Sequence, residues 1–215
     1  GQAVAILGAV EHSMSPSVCP RLTPVLGRNP PPRRVGPVVA KRSRRSLRHV
    51  ITIAPEMPED SWEVEALYDL CFAPGRTALS SYRLRDNVAP VRALSQVARD
   101  SDGILAGAIR FWPVHVGDSD ALLLGPVAVH PTRQGEGIGA SLIRDSLWKA
   151  EHSHWQRVIL VGDAPYYQRF GFVRLEGVEM PPPTNPERIL GLNLSPNAWQ
   201  GVQGRVARWS GAAQG

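Results

Sequence analysis

Three glycines at alternate positions, Gly135, Gly137 and Gly139, stand between an apolar run, Ala121 to Val129, and an amphipathic stretch that begins near Gly139. Without Cβ atoms they let the chain curl so that several N–H groups face one point. A helix starting there adds its own unpaired N–H groups and the positive end of its dipole. Together these make a site for a phosphate or diphosphate. Glycines serving only to pack a helix on a sheet would lose backbone entropy with nothing to offset it.

Two kinds of phosphate ligand fit that turn. Gly135-Glu136-Gly137-Ile138-Gly139-Ala140 satisfies G-x-G-x-x-A, one form of the dinucleotide fingerprint, and Asp163 ends the next strand, where a ribose-binding acid would sit. An NAD(P)-dependent oxidoreductase is therefore one alternative. Against it, a dinucleotide fold runs its strand straight into the first glycine, whereas His130 to Gln134 intervene here behind Pro131. At least two helical segments and three strands also precede the unit. A Walker-type loop is excluded, since no Gly-Lys-Ser/Thr follows the glycines.

A more specific likeness spans the same residues. Val127-Ala128-Val129-His130-Pro131, then Arg133 to Ala140, then Tyr167-Gln168-Arg169-Phe170-Gly171-Phe172 resembles the GNAT superfamily of N-acetyltransferases. The family carries Gln/Arg-x-x-Gly-x-Gly/Ala after a strand end, followed by a Tyr-x-x-x-Gly-Phe signature, and the likeness covers roughly Val50 to Leu194. One departure is plain: the Asn that often follows the next strand is replaced by Gly162-Asp163.

The resemblance implies acetyl-CoA as cosubstrate and an N-acetyltransferase acting by direct attack of a small-molecule or peptide amine in a ternary complex. A CoA-binding regulatory module without turnover is the other alternative. On the family pattern, the amides of Gly135, Gly137, Gly139 and Ala140 cradle the diphosphate, and Gln134 and Ile138 shape the loop. Glu136 points to solvent, because a carboxylate facing a diphosphate is repelled. Val127, Ala128 and Val129 pair through their backbone with the pantetheine arm as with an added strand. An N–H near Val127 then polarises the thioester carbonyl. Tyr167 occupies the family's Tyr position; a phenol of pKa near 10 can protonate a departing thiolate whose thiol has a pKa of about 8.5. Tyr166 packs beside it or lines the pocket. The residues name no general base: His115, Asp118, Asp120 and His130 lie near strand ends and read as turn or surface residues.

The elements that must position these groups follow from periodicity. Ile51 to Ile53 is a short β-branched run, and Trp62 to Cys71 is apolar at helical spacing, with Cys71 on the core face. Leu94 to Ala98, Ile104 to Val116 and Ala121 to Val129 read as strands joined by turns at Asp100 to Gly103 and Gly117 to Asp120. Pro113 suggests a sheet edge or a bulge. A helix then carries Leu142, Ile143, Leu147 and Ala150 on one face. Val158 to Val161 is a strand, Pro165 to Phe170 a short helix stopped by Gly171, and Phe172 to Leu175 and Arg188 to Leu194 are further strands. The order predicts an α/β fold: a mixed, mostly antiparallel twisted sheet flanked by helices, as in GNAT acyltransferases. Residues 50–177 form the core, and 178–215 supply C-terminal strands that complete the sheet.

Composition bounds the rest. The 215 residues carry a formal charge of +5, but nine Arg and Lys against a single acid fall before Val50. That segment, 1–49, is Pro-rich, without amphipathic period, and reads as disordered. Basic tails of this kind are more often solvated than specific, so nucleic acid is not the expected partner. No apolar stretch approaches the about 20 residues of a membrane helix, so no membrane is expected either. Two cysteines cannot build a disulfide framework, which fits a reducing, cytoplasmic setting. His152 and His154 lack partners at ligand spacing, and no metal is expected. Dimers are common in the family, which admits a homodimer.

Overall fold

The computed structural model describes residues 50–72, 76–77 and 80–211. The basic segment 1–49, Cys19 included, lies outside them, as do 73–75, 78–79 and 212–215.

Chain order runs β1 (Thr52–Pro55), α1 (Ser61–Phe72), α2 (Ser80–Arg83), β2 (Gln96–Arg99), β3 (Leu105–Val116) and β4 (Ser119–Val129). It continues through α3 (Ile138–Glu151), β5 (Arg157–Val161), α4 (Ala164–Tyr167), β6 (Val173–Arg174), β7 (Val178–Glu179), β8 (Ile189–Asn193) and β9 (Gly204–Arg208). The sheet is ordered β1-β2-β3-β4-β5-β8-β6. Along that path only the β4–β5 pair is parallel. β9 joins β3 at Val114 to Val116, and β7 pairs β9 in parallel. The fold is thus the mixed, mostly antiparallel α/β sheet that the sequence predicts.

Both faces of the sheet are covered, which is why β3 and β4 are apolar nearly throughout rather than alternating. Leu142, Ile143 and Leu147 of α3 join Ile109, Phe111, Leu122 and Leu160 in one layer. Val64, Leu67 and Tyr68 of α1 pack with Val97, Ala108 and Ala128 in another. Gly107 admits α3 to close range: a Cβ there would lie 3.0 Å from Ile138 Cγ2 and 3.1 Å from Leu142 Cδ1. A buried hydrogen bond from Gln96 Nε2 to Ser146 Oγ (2.6 Å), with Lys149 Nζ donating to Gln96 Oε1 (2.9 Å), fixes the helix against β2.

Differences from the sequence expectations are local or topological. Residues 92–94 form a 3-10 turn, and the strand starts only at Gln96. Pro113 sits where β3 has passed β2 and not yet met β9, so on that side no partner asks for its missing N–H. β8 lies between β5 and the edge strand β6, so chain order and sheet order part company there. Among the described residues no helix is long and apolar enough to cross a membrane.

Burial holds the phenols of Tyr68 and Tyr167 above their ordinary value of 10.0. A group whose pKa is raised on folding contributes stability below its unfolded pKa and loses it as pH rises. Each phenol should therefore remove about 1.4 kcal/mol of stability per unit above pH 10. Phenolate absorbance of the native protein at pH 11 should show these two tyrosines un-ionised, with Tyr68→Phe flattening the alkaline loss measured by denaturant titration. Four phenols ionising together in the folded state would contradict this.

Candidate active site

The β4–β5 ladder consists of Leu122 with Val158 and Leu123 with Ile159, and ends there although the strands continue to Val129 and Val161. The cause is in β4. Ile109 pairs with Val127 but Phe111 with Leu124, so Gly125 and Pro126 both stand opposite Arg110 as a bulge. Gly125 holds φ at +120°, which an L side chain rarely adopts, and Pro126 offers no donor. The extra residue also resets the alternation. Leu122, Leu124 and then Val127 join the α3 layer, whereas Ala128 joins the α1 layer.

Register decides where the backbone beyond the bulge points. His130 N–H donates to Ala106 C=O at 2.9 Å. In an antiparallel ladder the bonded pairs alternate, so Ala128 with Ala108 is the next bonded pair. Val127 and Val129 accordingly turn their N–H and C=O groups away from β3, toward the gap beside β5. Consistent with this, Cys71 Sγ–H donates to Val129 C=O at 3.4 Å, and the half-buried thiol is pushed up by burial.

Past β4, His130 caps a 3-10 turn at Pro131–Arg133, with Nδ1 2.8 Å from Thr132 Oγ1. Gly135 and Gly137 follow at φ +84° and +82°, the left-handed region that glycine enters without strain. Gly137 is the N-cap of α3 and supplies no side-chain acceptor. The first bond of the helix runs from Ser141 N–H to Gly137 C=O (3.0 Å). Among the described residues no backbone amide from Gln134 to Ala140 donates to a protein acceptor. Such a row is satisfied by solvent or by an anion.

These amides border a cavity of about 290 Å³. Val127 and Val129 line it from the strand, and Gln134, Gly135, Gly137, Ile138, Gly139 and Ala140 from the loop and helix. Arg133, Tyr166 and Arg169 complete the wall. The Arg133 side chain is mostly buried and approaches Glu136 at 3.4 Å and Asp100 at 3.7 Å, yet its Nε and Nη2 lack hydrogen-bond partners. The Arg169 guanidinium lies 4.3 Å from the Tyr166 ring centroid. Free amides, a helix N-terminus and two guanidinium groups suit a diphosphate. The periodicity of the sequence gives no hint of the two arginines, because neither lies on a patterned face.

Three expected site residues stand off this wall. Ala128 is fully buried among α1 side chains. Glu136 is exposed and turned toward Arg133, in keeping with a carboxylate kept clear of an anion. Tyr167 is only 2% exposed and packs edge-on against Phe172. Tyr166, which meets Tyr167 edge-on, faces the cavity instead. Even so, the Tyr167 hydroxyl has no hydrogen-bond partner among the described residues, and it is not one of the polar atoms sealed from solvent. Asp163 is engaged as the N-cap of α4, accepting from Tyr166 N–H at 3.3 Å, so it is not a free ribose-binding acid. His115 pairs with Asp120 at 2.9 Å and stacks on Trp209.

The departure at Gly162 has a steric reason. A Cβ there would collide with the Tyr167 ring, so no larger residue fits while the ring keeps its place. Gly162→Ala should therefore destabilise by about 1–3 kcal/mol through overpacking, read by denaturant unfolding. An unchanged midpoint would show that the ring is not held against Gly162.

Comparison with known proteins agrees with this geometry. The family model described as the acetyltransferase (GNAT) domain matches residues 93–174. The uncharacterized N-acetyltransferase YhbS of Escherichia coli K12 is 30% identical over 122 residues, which span 56% of this chain and 72% of YhbS. The crystal structure of YhbS in complex with CoA superposes with a TM-score of 0.66 at 26% identity, covering 75% of this chain and 91% of that one. A GNAT family acetyltransferase from Brucella melitensis in complex with acetyl-CoA gives 0.57 at 31% identity, covering 75% and 97%. A chain with this sheet, this open row of amides and relatives of this closeness belongs to the GNAT family of N-acetyltransferases.

Proposed function

We propose that the protein transfers the acetyl group of acetyl-CoA to a primary amine of a small molecule or peptide by direct attack in a ternary complex. The observation that carries this is the row of amides from Gln134 to Ala140, none bonded to a protein acceptor among the described residues, beside a gap that exposes the backbone of Val127 and Val129. Bound acetyl-CoA supplies a thioester whose C–S bond breaks as a C–N bond to the neutral amine forms. The loop amides and the guanidinium groups of Arg133 and Arg169 hold the diphosphate. The outward N–H and C=O groups of Val127 and Val129 pair with an extended arm, and the Val127 N–H donates to the reacting carbonyl.

Tyr167 acts as the acid in this proposal. Its hydroxyl has no partner among the described residues; burial keeps it protonated but also makes it a weaker acid. It therefore gives its proton only as charge builds on the departing sulfur, and the surplus proton of the attacking amine, released to solvent, restores the phenol. Tyr166 forms the wall against the ligand. A cytoplasmic setting goes with this proposal, and a homodimer is compatible with it; neither membrane nor nucleic acid takes part. The oxidoreductase alternative finds no support, because Asp163 is a helix cap and a 3-10 turn separates β4 from the glycines.

Calorimetry should show micromolar binding of acetyl-CoA and none of NAD or NADP. Leu at position 139 would fill the space between Val129 and the Tyr166 hydroxyl, which lie 3.3 and 3.7 Å from a Cβ placed on Gly139. Gly139→Leu should weaken acetyl-CoA by at least about tenfold, that is 1.4 kcal/mol. Tyr167→Phe should slow thiol release at least about tenfold with little change in affinity. Binding without thiol release over a wide amine panel would identify a regulatory module instead, and an unchanged rate in Tyr167→Phe would remove that residue from the chemistry.

A further inference from the structure

On the α1 side of the sheet lies a cluster of charges that the acetyl-CoA site does not use. Arg110 spans Glu56 (2.6 and 2.8 Å) and Glu65 (2.5 Å), and Arg76 spans Glu65 (2.5 Å) and Asp69 (2.7 Å). Burial opposes each of these ions, but pairing wins: Arg76 and Arg110 are held above their usual range and Glu65 below its own. Glu56, Glu65 and Asp69 are therefore already committed to these two cations.

Arg85, just beyond α2, is left out of that exchange. It is only 8% exposed, and its Nε and Nη1 are buried without a hydrogen-bond partner among the described residues. Its guanidinium carbon lies 4.2 Å from the Tyr82 ring centroid and 4.6 Å from that of Trp112. Desolvation pulls the group down to about 10. Aromatic faces stabilise a cation but do not replace the hydrogen bonds its N–H groups lose on burial. They hold the plane of the guanidinium, whose fork of N–H groups matches a carboxylate.

The cluster abuts the strand that carries the site. Arg76 Nη1 donates to the Tyr82 hydroxyl at 2.9 Å, and the Arg76 and Arg110 guanidinium carbons lie 5.7 and 5.4 Å from the Tyr68 ring centroid. The Tyr68 hydroxyl donates to Pro126 C=O at 3.4 Å, in the β4 bulge and next to Val127. Arg85 is thus linked through Tyr82, Arg76 and Tyr68 to the backbone proposed to meet the thioester, from the α1 face rather than from the α3 face.

We infer that Arg85 binds a carboxylate of the acceptor, so that the amine acetylated is an amino acid or another carboxylate-bearing amine. This rests on the acetyl-transfer proposal for the amine, but binding at Arg85 can be read without it.

The test uses an amino acid, its carboxamide and the parent alkylamine with wild type, Arg85→Gln and Arg85→Lys. Wild type should prefer the acid over the amide by about 100-fold in kcat/KM, chiefly through KM, as expected when a buried charged pair is broken. Arg85→Gln should bring the acid-to-amide ratio close to one with acetyl-CoA affinity unchanged by calorimetry, and Arg85→Lys should restore part of the preference. In parallel, the amino acid alone should raise the melting temperature of wild type but not of Arg85→Gln. If no amine is acetylated yet this shift depends on Arg85, the carboxylate site stands and the acetyl-transfer proposal falls. Equal use of acid and amide by wild type, or a preference that survives in Arg85→Gln, overturns the inference. Should Arg85→Gln fail to fold, an undiminished acid preference in Arg85→Lys, whose ammonium cannot offer the planar fork, overturns it equally.

Discussion

A backbone N–H must be satisfied somewhere, and from Gln134 to Ala140 the amides find no acceptor among the described residues. Much of the structure around them follows from keeping that row in place. The left-handed φ of Gly135 and Gly137 curls the loop, and Gly107 lets the first turn of α3 settle onto the sheet. Farther along the helix, the Gln96–Ser146 hydrogen bond and the Leu142, Ile143 and Leu147 contacts keep its axis from shifting. An anion site made of amides is only as good as the rigidity of its supports, because N–H groups that relax toward water lose their preorganisation.

The second requirement is a gap in a sheet that would otherwise zip closed. One extra residue in β4 provides it: the Gly125–Pro126 bulge ends the ladder with β5 and turns Val127 and Val129 outward. The opposite wall is built by subtraction, with Gly162 giving up a side chain so that the Tyr167 ring can lie over it. The charges divide between the two faces of the sheet. Arg133 and Arg169 stand with the α3 layer, while Arg76, Arg85 and Arg110 gather by α1 around Tyr68 and Tyr82. Such a division suits a reaction that brings an anionic carrier and its acceptor to one strand from opposite sides.

What could be read from the amino-acid sequence was local. The apolar run Ala121 to Val129, the spaced glycines and the face Leu142-Ile143-Leu147 each declare an element within a dozen residues, and β4, the loop and α3 follow them closely. Insertion of β8 between β5 and β6, and the pairing of β9 with β3, depend on contacts between distant segments that carry no local signature. The bulge at Gly125-Pro126 falls inside a run that reads as one continuous strand, and its consequence for Val127 emerges only once the register with β3 is known. Arg133 and Arg85 escaped notice for one reason: a lone arginine in a loop looks like a solvated charge until burial shows that its N–H groups have nowhere to go. The expectation for Tyr167 was positional, and the ring turns out to be packed against Gly162 and Phe172 while its neighbour Tyr166 lines the cavity.

The central claim is that the unbonded amides of the loop receive a diphosphate. Amide hydrogen exchange of the full chain with and without coenzyme A tests it most directly. The account predicts slowed exchange at Gly135, Gly137, Gly139 and Ala140 on binding, together with Val127 and Val129 across the gap, and little change in β6 or β7. Bound coenzyme A that left the loop amides exchanging at their free rate while protecting another surface would contradict it.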